Sequence, residues 1–432
     1  MRDIIVFSSL VCLLIAAIKR PQVGILAWIW VAVMNPHRLS WGWLTEFPVN
    51  DMVAIVTIGS CIAHWQDRRS IEFTPVVTLI YLFFFWASLT TVFSVDFQLS
   101  FTDWSNFAKS ILLITLVLLF MNERHWLIAA MGVFTLSIAF VGVKGGLFTI
   151  LTGGAHRVWG PPGTVWGSNN AVSIAMLMII PLLIAFRHIF VSRIFRLAMI
   201  FAAILSFAAL LGTQSRGGLV GLLGMGLVMI LRSRRKFAIL LVIAVSLPLG
   251  FYSMPDSWKQ RMASIENYEE DTSSMTRIIM WRYAVDIANE RPLFGNGFEA
   301  FFYPPYHQRY MAWMEEMRSV HSNYFQVLGE QGYVGLVLYL VLMAAAVLSA
   351  GKWSRVFLRS EETRWASPFV EMLQFSIAGY AFNGLTVNLA YVDLYYLLLV
   401  FLALLISYNK RVLNLADAPV NSKAPVSMRY GH

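Results

Sequence analysis

The sequence predicts an all-α, polytopic membrane protein of about twelve transmembrane helices with a mostly helical cap on one side. Three observations predict it. Hydrophobic residues make up 58% of the 432 and charged residues only 13%, against ~25% charged in a soluble domain. The apolar residues fall in blocks of about 15 to 20, near the length a helix needs to cross a bilayer. Lysines and arginines gather in alternate loops, as in a chain that crosses a membrane repeatedly and keeps its basic loops cytoplasmic.

Taken in order, the candidate spans are 3–18, 22–34, 51–65, 75–93, 105–121, 126–149, 170–186, 194–213, 217–231, 237–252, 333–350, 367–387 and 391–408. The first two are short for a bilayer, which brings thirteen candidates to about twelve spans. Residues 1–18 resemble a signal peptide in hydropathy, but Lys19-Arg20-Pro21 stands where a small-residue cleavage site belongs, so they read as an uncleaved span. Cys12 and Cys61 both sit in apolar runs and form no disulfide framework. The tail 412–432 mixes Pro, Ser, Asn and Ala without a period and reads as disordered and cytoplasmic.

The excess charge is a topology signal rather than a nucleic-acid footprint. Of 33 basic residues, 20 lie at 19–20, 68–69, 124, 187–196, 232–236, 352–364 and 410–429, in alternate loops or the tail. The loops 35–50, 94–104, 150–169, 214–216, 253–332 and a tight turn near 388–390 then face outward. The chain divides into an N-terminal bundle 1–252, a cap 253–332, C-terminal spans 333–411 and the tail. The cap is too long for a passive connection. It holds 7 basic and 11 acidic residues and is dense in aromatics, from Trp258 and Tyr268 to Trp313. Its segment 274–290 has helical spacing, with Ile278, Trp281, Val285 and Ala288 on one face. The run Asn289-Glu290-Arg291-Pro292-Leu293-Phe294-Gly295 then breaks that helix.

Chemistry-bearing residues cluster at outward positions. In HSNYFQVLGEQGYVG (321–335), Ser319 or Ser322 can cap a helix running to about Leu328. The positive end of that helix favours a neutral imidazole at His321, a competent general base at pH 7. Asn323, Gln326 and Glu330 recur at i, i+3 and i+7 along one face. In the turn Thr213-Gln214-Ser215-Arg216-Gly217-Gly218, an arginine stands beside two glycines at a helix start. That suits a phosphate, and equally an arginine snorkelling to lipid headgroups. Arg277 lies in the cap helix, where an arginine either solvates a face or meets substrate. His156 and Arg157 sit in the turn-rich loop GPPGT…GSNN, which reads as an anion contact or a rigid turn. The run Glu266 to Asp271 lacks the turn glycine of a calcium loop and reads as a solvated loop, so no metal and no cofactor is expected.

Together these pieces resemble the O-antigen ligase and polymerase superfamily. The parts that carry the resemblance are SRGG at 215–218, TRIIMWRYAVDIANERPLFGNGFEAF at 276–301 and HSNYFQVLGEQGYVG. Arg277, Pro292, Gly295, Gly297, His321, Glu330, Gly332 and Gly335 fill the family's positions, and Ser322 stands where many members have Asn. The GPPGT…GSNN loop looks closest to the exosortase-associated O-glycosylation ligase branch. The resemblance implies an inner-membrane glycosyltransferase with a periplasmic active site and a glycan donor on undecaprenyl pyrophosphate. It implies inverting, metal-independent transfer to an acceptor hydroxyl, a sugar of lipid A–core in lipopolysaccharide. With the readings of the residues above, the expected site has His321 as base and Arg216, Arg277, Asn323, Arg157, Gly217, Gly218 and Glu330 around the substrate. An O-antigen polymerase or a protein O-glycosylation ligase uses the same donor. A lipid-linked sugar transporter is the non-enzyme alternative, and it would place ionisable groups at span centres.

Overall fold

The computed structural model describes residues 2–40, 42–232, 236, 272–314 and 316–416, with backbone alone at 272–274 and 414–416. The candidate span 237–252, the boundary near 252, Trp258, Tyr268, the acidic run at 266–271 and the tail beyond 416 lie outside the described residues. Each of the other candidate spans falls on a helix. In chain order these are α1 (Arg2–Lys19), α2 (Pro21–Met34), α3 (Val49–Ala63), α4 (Pro75–Val92), α5 (Phe97–Phe120), α6 (Arg124–Leu151), α7 (Asn169–Phe186), α8 (Arg193–Gly212) and α9 (Arg216–Arg232). After them come α10 (Thr272–Glu290), α11 (Pro304–Tyr310), α12 (Asn323–Val356), α13 (Ser367–Asn383) and α14 (Asp393–Ala416). Among the described residues, seven helices are long and apolar enough to cross a membrane by length and composition, and α2 and α3 are shorter apolar helices. This is an all-α, multi-pass membrane protein.

Local signals set the helix starts. Pro75 opens α4 behind Thr74, whose hydroxyl accepts the Val77 amide at 3.4 Å. Asp96 accepts the Gln98 and Leu99 amides, both at 3.0 Å, to start α5. That start is eight residues before the span expected at 105, because the cap of α5 lies in polar sequence that hydropathy does not score. Helix α7 is apolar all round and is the innermost, with 83% of its span window buried. It packs against α6, α8, α9 and α13, while α12 packs on α4 and α13.

The two ends of the bundle differ in chemistry. At one end Lys410 meets Glu72 at 2.5 Å, Arg411 donates to the Asn122 carbonyl at 3.0 Å and Arg124 lies over the Trp365 ring. At the other end the Leu44 amide bonds Asp3 at 3.4 Å, the Val95 amide bonds the Asn296 carbonyl at 3.0 Å, and the Asn323 amide bonds the Gly384 carbonyl at 2.8 Å. The first residues of α1 therefore stand at the end opposite the basic loops.

The described part of the cap is helix, turn and short helix. Helix α10 buries Met280, Tyr283, Ala284 and Ile287 against Phe301 and Tyr306. The expected face of Ile278, Trp281, Val285 and Ala288 is thus corrected by a rotation of about one residue: Ile278 is exposed, and Ala288 alone of the four is fully buried. Tyr283 decides the rotation, because its large ring packs on Phe301 while its hydroxyl reaches the Phe301 carbonyl at 3.4 Å. Asn296 pins the following turn from a fully buried position. It donates to the Ile287 and Gly329 carbonyls at 2.8 and 2.9 Å and accepts from Tyr306 at 2.8 Å.

Helix α12 already runs at Asn323, so the boundary expected at 332 falls inside it, at a kink. Gly332 has φ +70°, which breaks the helical hydrogen-bond ladder there. The turn after α10 docks in the break. The Asn296 and Gly297 amides bond the Glu330 carbonyl at 3.0 and 2.8 Å, and the Tyr333 amide bonds the Pro292 carbonyl at 2.9 Å. Glu299 ends this turn in a left-handed conformation, its amide bonded to the Glu330 carboxylate at 3.2 Å. Its own carboxyl meets Asp103 across a cleft of about 580 Å³ between α5 and the cap. Burial, then the hydrogen bond and charge of Asp103, push Glu299 up to about 8.

Two predictions follow the docking. A Cβ on Gly332 would stand 2.6 Å from the Leu293 carbonyl at a φ that side chains resist, so Gly332→Ala is expected to lose about 1–3 kcal/mol. Gly59→Ala, with nothing near its added carbon, is expected to gain up to ~1 kcal/mol from helix propensity; thermal melts in detergent compare them. Glu299 stays protonated in the native state between its ordinary value and about 8. The unfolded chain loses that proton earlier, so this group makes stability fall as pH rises through the window. Glu299→Gln should therefore raise the melting temperature more at pH 8 than at pH 5, and an equal shift at both would refute the assignment.

Candidate functional site

The site grows from the head of α12. His321 adopts φ +48°, a left-handed turn that a histidine tolerates better than a β-branched residue. Ser322 then takes the N-cap position with extended backbone, but its hydroxyl makes no capping bond. The capping expected of Ser319 or Ser322 is corrected here. Ser319 bonds the His321 Nε2 at 3.3 Å instead, and the Ser322 hydroxyl is buried with no hydrogen-bond partner among the described residues.

Helix α10 lies across this segment. Trp281 donates to the Val320 carbonyl at 3.1 Å and stacks on Phe325 with ring centroids 5.0 Å apart. Arg277 lies one turn earlier on the same face as Trp281, which brings its guanidinium to His321. The imidazole is half-buried, and burial first, then the Arg277 charge, hold its pKa below the ordinary histidine value. His321 is therefore neutral at pH 7.

The expected polar face of α12 exists, and it turns inward. The Asn323 side-chain oxygen accepts the Leu389 amide at 2.6 Å, and Gln326 accepts the Ala390 amide at 3.4 Å. Both hold the 384–392 segment between α13 and α14. Glu330 lies nine residues beyond His321, ~13 Å along the helix axis. It is almost fully buried at the cap-docking kink, so the structure does not bring it to the imidazole.

The SRGG turn sits against the same segment. Gln214 takes a left-handed φ of +53° and reverses the chain out of α8. Ser215 caps α9 by accepting the Gly218 amide at 3.1 Å. Gly217 and Gly218 face protein: a carbon added to Gly217 would collide with Thr386 Oγ1, and one on Gly218 would stand 2.9 Å from Ser173. Their small size lets α9 pack on α7 and α13. Arg216 is half-buried as the first residue of α9, where its charge opposes the helix dipole and so adds to the pull on an anion. Arg157 is half-buried in a loop stitched to this turn. The Val158 amide bonds the Gly212 carbonyl, and the Asn169 side chain bonds the Thr213 carbonyl, both at 2.9 Å.

The structure thus brings the Arg277 charge within electrostatic reach of His321 and ties the Arg216 turn and the Arg157 loop to the same end of the bundle. Sequence reading missed the polar residues that join them: Asn170, Ser173, Asn383 and Thr386. Their signal was polarity inside or at the edge of apolar spans, which marks partnered positions in a membrane.

Two family models match parts of this chain. Residues 201–340 match the family model described as O-antigen ligase, and residues 1–192 match a family of unknown function. No curated protein gives a significant match. The ligase match contains Arg216, Arg277, His321, Asn323 and Glu330; Arg157 falls in the other match. Over residues 201–340, which hold the SRGG turn, Arg277 and His321, the chain is similar to the O-antigen ligase superfamily.

Proposed function

We propose that the protein is an O-antigen ligase of the bacterial inner membrane. It transfers a glycan, with inversion and without a metal, from undecaprenyl pyrophosphate to a sugar hydroxyl of lipid A–core at the periplasmic face. The observation that carries this reading is the apposition of a neutral imidazole, His321, and a guanidinium, Arg277, at the end of the bundle opposite the basic loops.

The chemistry follows from the bonds exchanged. The acceptor oxygen attacks the anomeric carbon from the side opposite the pyrophosphate, which inverts that centre. The C–O bond to pyrophosphate breaks, and its electron pair leaves as negative charge on undecaprenyl pyrophosphate. Arg277 and Arg216 meet that charge with bidentate, charge-assisted hydrogen bonds. His321 takes the hydroxyl proton as attack proceeds. Arg157 supports the donor from the adjoining loop. The Ser322 hydroxyl, which has no hydrogen-bond partner among the described residues, supports this reading as a further donor at the head of α12, the positive end of a helix.

Purified His321→Ala in liposomes with lipid-linked donor and lipid A–core is expected to fold yet lose transfer about 10²–10⁴-fold; retained ligation would end the role given to the histidine. Arg216→Ala and Arg277→Ala should each raise the donor KM. Parallel assays with a protein acceptor, a second lipid-linked repeat, chelator, or no acceptor separate this reading from protein ligase, polymerase, metal-dependent enzyme and transporter. The pH profile supplies a second test. His321 works as the neutral base, and burial and Arg277 both oppose its protonation. The rate should therefore be level near pH 7 and fall in acid with an apparent pKa under the ordinary histidine value. In Arg277→Gln the acid limb should move to higher pH, and a limb that stays or moves lower would contradict the pairing.

A further inference from the structure

Two half-sites must be held in register if one end of the donor is to meet Arg216 while the acceptor meets His321. They lie on different helices, α9 and α12, and one buried side chain lies between them. Asn383, the last residue of α13, is fully buried. Its amide donates to Ser173 Oγ at 3.0 Å, and Ser173 lies 3.3 Å from Ser215, the cap of α9. Ser215 in turn donates to Asn170 Oδ1 at 2.7 Å. A Cβ on Gly217 would stand 3.1 Å from Asn383 Oδ1. On its other side, the Asn383 side-chain oxygen accepts the Thr386 hydroxyl at 3.5 Å, its backbone carbonyl accepts the Thr386 amide at 2.8 Å, and the backbone carbonyl of the next residue, Gly384, accepts the Asn323 amide at 2.8 Å. The link from the first turn of α9 to the first turn of α12 therefore passes through Asn383 in short polar steps.

We infer that Asn383 is a positioning residue that sets the Arg216 turn against the His321 turn. An amide is suited to this task. It donates to one helix and accepts from its own loop with a planar group of few rotamers. Polar groups buried in a bundle fix one arrangement when every member is satisfied. An apolar residue of the same size would still fill the space between α7, α9 and α13, but α9 could then slide or turn by a fraction of an ångström. The inference rests on the glycan-transfer reading above for its catalytic consequence, though not for the link itself.

The test uses the full-length protein in liposomes and two readouts. Asn383→Leu keeps the branched shape and removes the amide. Expected is a fall in kcat of about 10–100-fold, the scale of sub-ångström to ångström misplacement, with acceptor KM little changed. Expected also is a joint loss of hydrogen-exchange protection at 215–219 and 322–327, the two first turns. Ser173→Ala should reproduce both effects more weakly, and the double variant should be no worse than Asn383→Leu alone. If Asn383→Leu does not fold, Ser173→Ala carries the test. Protection lost at one turn only, or lost at both with kcat unchanged, overturns the inference. Failure of the histidine reading has a different signature: His321→Ala would keep transfer while the exchange coupling between the two turns persisted.

Discussion

The end of this protein that carries the candidate site depends on how the segment between α13 and α14 satisfies its backbone. Residues 384–392 form an irregular chain between two membrane helices, and every buried amide and carbonyl there needs a partner. The partners come from three directions. The head of α12 gives the Asn323 amide to Gly384 and takes the Leu389 amide on the Asn323 side chain. Buried tyrosines below supply hydroxyls: Tyr380 donates to the Leu389 carbonyl at 2.8 Å and Tyr396 to the Ala390 carbonyl at 3.1 Å. On the third side Thr386 fills the space left by Gly217 on α9. One short segment thereby fixes the relation of α9, α12, α13 and α14.

The tyrosines beneath it form a rigid floor. Tyr380 stacks on Tyr395 with centroids 4.1 Å apart and planes within 8°, and the Tyr380 and Tyr339 hydroxyls stand 2.9 Å apart. Tyr339, Tyr380 and Tyr396 bury large apolar rings while their hydroxyls remain bonded, and the Tyr395 hydroxyl has no partner among the described residues. The cap is attached by a second junction of the same kind. Gly332 opens α12 so that the Glu330 carbonyl can accept two amides from the Pro292–Gly297 turn, and Asn296 ties that turn back to α10. Arg277 reaches His321 because α10 is held at this junction and by Trp281 on Val320.

These two junctions account for the spacing of the sequence features in this chain. The His321 and Glu330 positions belong to one motif, yet they do different work. His321 stands at the helix head and carries the proposed base, while Glu330 holds the cap two turns deeper. The glycines at 217 and 218 lie beside an arginine, yet the neighbours of their added carbons are side chains of α7, of the α13–α14 segment and of α8. A phosphate-like pattern in sequence is here a packing device that carries the arginine with it.

The sequence by itself determined the helices, their membrane character, the basic end and the residue types able to do glycosyl-transfer chemistry. The physical reason is that a bilayer imposes length and apolarity on each span separately, a rule that can be read one segment at a time. His321, Arg216 and Arg277 stand out in the sequence as candidates because few side chains can act as a base or meet a pyrophosphate. Only the tertiary structure decided which faces meet. It rotated the buried face of α10 toward Tyr283, turned Asn323 and Gln326 inward, separated Glu330 from the imidazole, and placed Asn383 between the half-sites. Helices that are apolar on every side carry little periodicity to announce such choices, and the partners of Asn383 and Asn323 lie far away along the chain, where local sequence cannot reach.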